Sequence, residues 1–338
     1  MTSITNCLFF LILANCLIAV LPAHAGIFTL PQNGDALIGE FRWVKASKED
    51  TLVDIARRND LGFDEIVNAN PSVDVWMPRE GTTVTLPHRY LLPDAPREGV
   101  VINTAEMRLY YFPPKPKRKK NEAEPETPAT VESFPISIGR SDWNTPLVKT
   151  KVARKTEDPI WYPPESIRKE HAAQGDPLPK AVPAGPDNPL GKYALYLGIK
   201  SYLIHGTNKE FGIGMQVTHG CMRMYPEDIE RMYRNVKVGT PVHIINQPYK
   251  IGWSDGTLYL EIHPWLEGTP ETQRNDKSAL INLVKAALKD YPEYPVDWQA
   301  VEVMRIEATG LPAAIGPRMN FYPQPTEEII SASQDSIF

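Results

Sequence analysis

One segment of the chain concentrates the side chains that can do covalent chemistry. It contains His205-Gly-Thr-Asn208 and, shortly afterwards, Thr218-His-Gly-Cys-Met-Arg-Met224. A cysteine attacks a carbonyl carbon as its thiolate, which needs a nearby base and a positive local field. Cys221 is therefore the candidate nucleophile. His205 is the candidate group that accepts the thiol proton and later donates it to a leaving amine.

The neighbours of these two residues suggest how the pair would work. An imidazole close to Cys221 would lower the pKa of the thiol and form a thiolate–imidazolium pair. The carbonyl of Gly206 is a candidate acceptor for the second ring nitrogen of His205. The backbone N–H groups of His219, Gly220 and Cys221 follow one another and could stabilise the oxyanion of a tetrahedral intermediate.

A further set of residues in this segment is expected to contact the substrate. The guanidinium of Arg223 could bind a substrate carboxylate through two parallel hydrogen bonds. The expected substrate-binding residues are Gly206, Asn208, Thr218 and Arg223.

Other roles for these residues remain open. His205, His219 and Cys221 could ligate zinc, although three ligands without a second cysteine pair match no usual spacing. His219 could instead order the loop, and Arg223 could form a surface ion pair. Cys221 could be an inert buried thiol, an interpretation that its histidine, glycine and arginine neighbours disfavour.

Two elements are predicted to position this segment. Residues 193–204 are rich in aromatic and branched side chains, which predicts a strand that ends near His205. Residues 226–233 begin with a proline followed by carboxylates, a pattern typical of the first turn of a helix. Cys221 is therefore expected in a loop just ahead of a helix, where a thiolate forms more easily.

The N-terminal segment has the character of an export signal. Residues 1–25 contain no lysine, arginine, aspartate or glutamate. Ala23-His-Ala25 has the small-x-small pattern of a signal-peptide cleavage site. The apolar run from Cys7 to Leu21 is shorter than the ~20 residues of a membrane helix. We expect a signal peptide cleaved after Ala25, although the missing basic residue before the apolar run leaves an uncleaved anchor as the alternative. Cleavage would remove Cys7 and Cys16, so Cys221 could form no internal disulfide.

The charge balance bears on the choice of partner. The formal net charge is −5 and the isoelectric point is about 5.9. Nucleic acid is therefore an unexpected partner, because a nucleic-acid-binding domain carries a basic surface. The 338 residues are enough for two or three domains with cores of their own.

Residues 41–88 are predicted to form a small domain of strand, helix, helix and strand. This order resembles a LysM domain. The residues that carry the resemblance are Asp50-Thr-Leu, Ile55-Ala, Ile66, Asn68-Ala-Asn-Pro71 and Gly81 to Pro87. The resemblance implies binding of glycan strands that contain N-acetylglucosamine. The alternative is a small domain that only packs on the enzyme.

Residues 97–246 are predicted to form the domain that carries the cysteine. We expect two strands around a turn within 100–112 and strand character again at 133–138. The charged, proline-containing segment 113–132 between them is expected to be a solvated hairpin loop. Residues 139–189 are rich in proline and are expected to be mostly irregular and to wall the active-site cleft.

The remaining segments carry no chemical motif. Residues 26–40 are expected to be a short leader. In residues 247–321 we expect an α+β region with a hairpin turn at Asp255-Gly256 and an amphipathic helix over 278–290. Residues 298–308 could form a helix or a strand. Residues 322–338 are expected to be a disordered tail.

The motifs together resemble those of the YkuD-type L,D-transpeptidases, in particular the periplasmic ErfK/YbiS-like branch with an N-terminal LysM domain. The motifs are His205-Gly-Thr-Asn208, Gly212-Ile-Gly214 and Thr218 to Met224, with Ala184 to Gly191 upstream. Thr218 stands where many members have serine. The likeness covers roughly residues 41–265. It implies a mainly β catalytic domain, a sandwich or barrel, beside the small α+β LysM domain and a C-terminal α+β region.

This resemblance implies a periplasmic acyltransferase that acts on the glycan strands and tetrapeptide stems of peptidoglycan without a metal or an organic cofactor. Cys221 would attack the carbonyl between the diamino acid at position three of a stem and its terminal D-Ala. His205 would be the proton donor and acceptor. The thioester would pass to an amine of another stem, of a free D-amino acid or of an outer-membrane lipoprotein.

Two other functions remain open. An L,D-carboxypeptidase would pass the same thioester to water. A non-catalytic wall-binding protein would keep Cys221 unreactive. Papain-like amidases place cysteine before histidine, and sortases lack the His-Gly-Cys core, so both of these families match less well.

Overall fold

The computed structural model describes residues 26–31, 34–114 and 128–319. The predicted signal peptide, most of the predicted charged loop and the predicted tail lie outside these ranges. The strands, in chain order, are β1 (Ile27–Thr29), β2 (Leu37–Gly39), β3 (Arg42–Lys45), β4 (Thr83–Leu86), β5 (Arg89–Leu91), β6 (Gly99–Asn103), β7 (Arg108–Phe112), β8 (Thr130–Pro135), β9 (Ile138–Gly139), β10 (Val148–Glu157), β11 (Tyr193–Leu197), β12 (Leu203–His205), β13 (Gln216–Thr218), β14 (Met222–Arg223), β15 (Pro241–Ile245), β16 (Tyr249–Ser254), β17 (Thr257–Ile262) and β18 (Ala313–Ala314). The helices are α1 (Leu52–Arg58), α2 (Phe63–Ala69), α3 (Glu165–Ala173), α4 (Pro226–Asn235), α5 (Glu271–Asn275), α6 (Ser278–Ala287) and α7 (Trp298–Glu307).

A nine-stranded mixed sheet forms the core of the domain that carries Cys221. Its strand order is β1-β8-β7-β6-β15-β10-β11-β12-β14. The pairs β6–β15 and β12–β14 are parallel, and the other neighbours are antiparallel. The prediction of a mainly β catalytic domain is confirmed.

Both faces of the middle of this sheet are covered. Along β6, Val100 and Ile102 belong to one apolar cluster, and Val101 belongs to another that also contains Ile38 and Tyr90. Alternate side chains of a strand point to opposite faces, so these strands read as nearly continuous apolar runs. Helix α4 covers the first face with Ile229 and Met232, and Pro226 in its first turn suits a helix start.

The small domain has the predicted order of elements. Strands β3 and β4 pair antiparallel, with α1 and α2 between them in the chain. Thr51 caps α1 and forms a reciprocal capping box with Asp54. The apolar face of α1, with Leu52 and Ile55, is fully buried in the core of this domain.

One expectation about irregular segments is wrong, and a second, that residues 139–189 are mostly irregular, is confirmed apart from one strand and one helix. Residues 26–40 are not a leader, because β1 pairs with β8 at the sheet edge and β2 pairs with β5. Residues 139–189 contain the ten-residue strand β10 and the helix α3. Only Val152 of β10 is fully buried, and α3 buries only Ile167, so neither element has a strong apolar pattern.

The C-terminal region has its own sheet, β16-β17-β18, packed with residues of α6 and α7. Asp255 and Gly256 connect β16 to β17 with positive φ at both positions, as the predicted hairpin turn requires. Residues 298–307 form a helix. The buried ammonium of Lys250 joins this region to the catalytic domain, with Nζ 2.6 Å from carboxylates of both Glu106 and Glu261. Among the described helices, none combines the length and apolar character that crossing a bilayer requires.

Candidate active site

The register of β12 and β14 brings the candidate residues together. These strands are parallel, with Ile204 opposite Met222 and His205 opposite Arg223. Ile204 and Met222 are fully buried in the core of the domain. Because side chains alternate along extended chain, Cys221, Arg223 and His205 lie on the other face of the two strands. The strand arrangement that the sequence predicts for His205 and Cys221 is therefore present.

His205 has one ring nitrogen fixed by the backbone. Its Nδ1 lies 2.6 Å from the carbonyl oxygen of Gly206, which can only accept, so Nδ1 carries the proton. The backbone of Leu190 also hydrogen-bonds to the ring. Burial, and secondly the positive charge of Arg223, lower the pKa of His205 to about 3. The imidazole is therefore neutral at physiological pH. Gly206 orients this ring, which is a different role from the substrate contact predicted for it.

The Cys221 thiol is also neutral in this structure. Its Sγ donates a weak hydrogen bond to the carbonyl of Ser201 at 3.6 Å, and the side chain keeps partial contact with solvent. Burial raises the pKa of Cys221 to about 11, although a backbone hydrogen bond from Leu203 and the charge of Arg223 oppose this rise. The expected resting thiolate–imidazolium pair is therefore wrong, because burial disfavours both charged forms.

The position of Cys221 relative to α4 also differs from the expectation. Strand β14 lies between Cys221 and the helix, which begins only at Pro226. The field of a helix end is strongest within its first turn, so α4 is not the source of a lowered thiol pKa.

Thr218 braces the loop that carries the nucleophile. It is fully buried, and its Oγ1 donates to the carbonyl of Cys221 at 2.6 Å and accepts from the N–H of Gly220 at 3.1 Å. This placement does not support the predicted substrate contact of Thr218. It also removes the Gly220 N–H from the expected oxyanion hole. Within the described ranges, the N–H of Cys221 has no internal acceptor, so it remains the donor for an oxyanion.

Gly220 occupies a position that favours glycine. Its φ is +96°, and a Cβ there would lie 2.9 Å from the ring of Tyr202. Its carbonyl accepts a hydrogen bond of 3.0 Å from Thr145 Oγ1, which belongs to the segment predicted to wall the cleft. The path of the chain just before Cys221 is thus fixed from both sides.

His219 points away from the nucleophile pair toward α3. Its Nε2 lies 3.1 Å from Glu170, and its ring contacts the ring of Trp143 edge-on at 5.1 Å between centroids. Glu170 is in turn 2.6 Å from Arg140. These contacts favour the alternative in which His219 orders the loop.

Arg223 carries a charge without a counter-ion in the described part of the chain. Its side chain is half-buried, and burial lowers the pKa of the guanidinium. No ion pair or hydrogen bond engages its side chain among the described residues, so the surface ion pair considered as an alternative is not formed there. A partly buried, unpaired guanidinium next to the thiol is suited to bind an anion.

Similarity to known proteins extends over most of the chain. Residues 97–244 match the YkuD family, the L,D-transpeptidase catalytic domain. Over 305 residues the chain is 39% identical to the probable L,D-transpeptidase ErfK/SrfK of Escherichia coli K12, an alignment that covers 87% of this chain and 93% of that protein. The chain belongs to the L,D-transpeptidase family.

This chain is also similar to other L,D-transpeptidases. The probable L,D-transpeptidase YcfS of Escherichia coli K12 is 42% identical over 268 residues, which is 78% of this chain and 80% of that protein. The solved structure of L,D-transpeptidase 3 from Mycobacterium tuberculosis with a faropenem-derived adduct aligns with 50% of this chain and 66% of that one. Its sequence identity is 18% and the TM-score is 0.31. The predicted family of this transpeptidase is confirmed by the sequence relatives.

The structure of this transpeptidase also places Asn208 and the three residues considered as zinc ligands. Asn208 is exposed, and its Nδ2 donates to the carbonyl of Pro186 at 3.3 Å, so it links the loop after His205 to the segment 184–191. Ligand atoms of His205, His219 and Cys221 do not come close enough to share a metal ion among the described residues. The described cluster that does, Glu106, Glu261 and His263, is already occupied by the ammonium of Lys250.

Sequence reasoning missed the residues that support the nucleophile loop from the far side. They are Arg140, Trp143, Thr145 and Glu170. Most of these residues are polar or charged, and such residues are common on protein surfaces. Glu170 contacts His219 only because α3 packs beside the loop. No local pattern reveals such a contact.

Proposed function

We propose that this L,D-transpeptidase uses Cys221 to attack the carbonyl of the diamino acid at position three of a peptidoglycan tetrapeptide stem. D-Ala leaves, a thioester forms on Sγ, and an amine of an acceptor then takes the acyl group. The observation that carries this proposal is the register of β12 and β14, which sets Cys221, His205 and Arg223 on one face.

Proton transfer accompanies the attack in this mechanism, because both partners are neutral at rest. As Sγ bonds to the carbonyl carbon, its proton moves to Nε2 of His205. The Gly206 carbonyl stabilises the resulting imidazolium through Nδ1–H. The imidazolium then gives the proton to the nitrogen of D-Ala as that bond breaks. In the second half, Nε2 takes a proton from the acceptor amine and returns it to sulfur.

Backbone and side-chain groups supply the charge stabilisation. The Cys221 N–H is available to the oxyanion of each tetrahedral intermediate. The unpaired guanidinium of Arg223 is available to a stem carboxylate. Every step uses only the residues of this chain and the two substrates.

The direct test is product analysis with defined muropeptides and purified protein. The wild type is expected to release D-Ala and to join the tripeptide to an added amine, whereas Cys221→Ala should do neither while keeping the circular dichroism of the wild type. Undiminished products from Cys221→Ala would end the proposal. Release of D-Ala without joining would assign the hydrolytic L,D-carboxypeptidase activity instead.

We also infer the finer points of setting and partner. The N-terminal sequence supports export to the periplasm with cleavage after Ala25. The order of elements in residues 41–88 supports a LysM domain that binds glycan strands. The acceptor amine is that of a second stem, a free D-amino acid or a lipoprotein lysine, and mass analysis of products formed with each amine tests the three.

A further inference from the structure

An apolar groove of about 450 Å³ lies between the small domain and the loop that follows His205. Phe63 and Trp76 line it from the small domain. Phe211 and Val217 line it from the catalytic domain, and Arg223 is also part of its wall. The groove therefore adjoins the face of the strands on which Cys221 lies.

Large apolar side chains are left uncovered in this groove. Trp76 is 69% exposed and Phe211 is 71% exposed, and Trp76 contacts Phe63 with 6.5 Å between ring centroids. Clustered exposed apolar groups usually mark an interaction site, whereas single ones need no explanation. Two exposed aromatic rings on opposite walls of one groove point to a bound ligand.

The two walls of the groove are fixed to each other. Nε of Arg57 in α1 lies 2.6 Å from Glu210, the neighbour of Phe211. The N–H of Phe63 donates to the carbonyl of Ile213 at 2.9 Å. Gly214 has φ of +80°, and a Cβ there would lie 2.3 Å from Cα of Gly62, so the two backbones are in close contact. The small domain is thus a rigid wall of the groove.

The charges in the groove indicate the chemistry of its ligand. Lys209 and Arg223 are the charged residues among those that line it, and both are cations. Arg223 has no anionic partner within the described residues. A ligand that combines apolar surface with carboxylates would match both features of the groove.

We propose that this groove binds the peptide part of the substrate, with a stem carboxylate on Arg223 and apolar parts of the stem between Trp76 and Phe211. The inference rests on the proposed function, because it assigns a subsite to the same reaction. It makes Trp76 and Phe211 specificity residues contributed by two different domains.

The test measures binding of a synthetic tetrapeptide without sugar, which has a diamino acid at position three and a terminal D-Ala. Calorimetry in a Cys221→Ala background prevents turnover. Trp76→Ala and Phe211→Ala should each raise the Kd at least tenfold. Trp43→Ala and Tyr162→Ala are matched controls, because these aromatic residues are 62% and 67% exposed but do not line the groove, and should stay within twofold.

Three outcomes would overturn the assignment of the groove. The peptide could fail to bind the parent, the groove variants could match the controls, or they could lose affinity only for an N-acetylglucosamine oligomer without peptide. A separate assay of D-Ala release by the unmodified enzyme tests the reaction itself. Its failure would remove the proposed function, whereas the pattern of Kd values would still decide whether the groove binds the peptide.

Discussion

His205 and Arg223 are register partners on the adjacent parallel strands β12 and β14. The charge of Arg223 lowers the pKa of His205 and also opposes the rise in the pKa of Cys221. A fixed cation disfavours a second positive charge and favours a negative one, so both effects have one source. A change at residue 223 should therefore alter both proposed catalytic groups as well as substrate binding.

Replacing Arg223 by glutamine is expected to lower kcat/KM for the tetrapeptide by about tenfold to one-hundredfold, since a hydrogen bond to a charged group contributes ~1.5–3 kcal/mol. The variant should also alkylate with iodoacetamide more slowly than the wild type at pH 9, because the pKa of Cys221 rises. Arg223→Lys keeps the charge and should alkylate at nearly the wild-type rate. Equal alkylation of all three proteins would show that Arg223 does not act on the thiol.

Thr218→Val is expected to destabilise the protein by about 1–3 kcal/mol, because it leaves the Gly220 N–H and the Cys221 carbonyl without their buried partner. Activity should fall as well, since the loop before the nucleophile loses its brace. Chemical denaturation and D-Ala release measure the two effects. Thr218→Ser keeps the hydroxyl and serves as the control. A valine variant as stable as the serine variant would show that this hydroxyl does not stabilise the loop.

The elements with strong local patterns could be predicted from the sequence. The strand character of residues 193–204 correctly indicated a strand that ends at His205, although this segment forms the antiparallel pair β11 and β12 and not the single strand predicted. The proline start of α4 correctly indicated the exit of the cysteine segment. Asp255-Gly256 correctly indicated the hairpin of the C-terminal region. In each case, the backbone preference of neighbouring residues and the tertiary fold favour the same structure.

The missed parts depend on contacts between distant segments. Strand β10 is rich in lysine and arginine, and its neighbours β11 and β15 define it as a strand through hydrogen bonds on both edges. The neutral state of Cys221 and His205 follows from their burial in the folded protein, which removes water from both side chains. Motif spacing identifies the two residues but carries no information about their desolvation.

The buried His205 should make the protein sensitive to acid. Its folded pKa of about 3 lies below the unfolded value, so its contribution to stability is full above the unfolded pKa and is lost as pH falls. Between pH 7 and pH 5 this loss is about 2 kcal/mol, given an unfolded pKa of ~6.5. The free energy of unfolding of His205→Gln should therefore fall less over this range than that of the wild type. Equal losses in the two proteins would exclude this origin.

Asp60 in the small domain and Asp228 in α4 each have a buried carboxyl oxygen without a hydrogen-bond partner in the described part of the chain, and burial raises the pKa of both groups. Burial, and then the charge of Asp60, raise the pKa of Asp228 well above its usual range. A carboxyl with a raised folded pKa contributes stability that is lost as pH rises. Above its unfolded pKa the group ionises in the unfolded chain, which lowers the free energy of the unfolded state, while it stays neutral in the folded protein.

Asp228→Asn cannot ionise, so its stability relative to the wild type should increase from pH 5 to pH 8.5. Urea unfolding at the two pH values measures this change. Asp290→Asn, at an exposed position, is the control and should follow the wild type. A constant difference between Asp228→Asn and the wild type at both pH values would contradict the proposed protonation of Asp228.

The roles of Cys221 and His205 are tested by the single-turnover rate at which the tetrapeptide acylates the enzyme, followed by intact mass and mapped by peptide digestion. A thioester on Cys221 is expected in the wild type. Acylation should be slower by about 10²–10⁴-fold in His205→Gln, the usual contribution of a general base. An adduct on another residue, or an unchanged rate in His205→Gln, would contradict the assignment of Cys221 and His205 as the reacting pair.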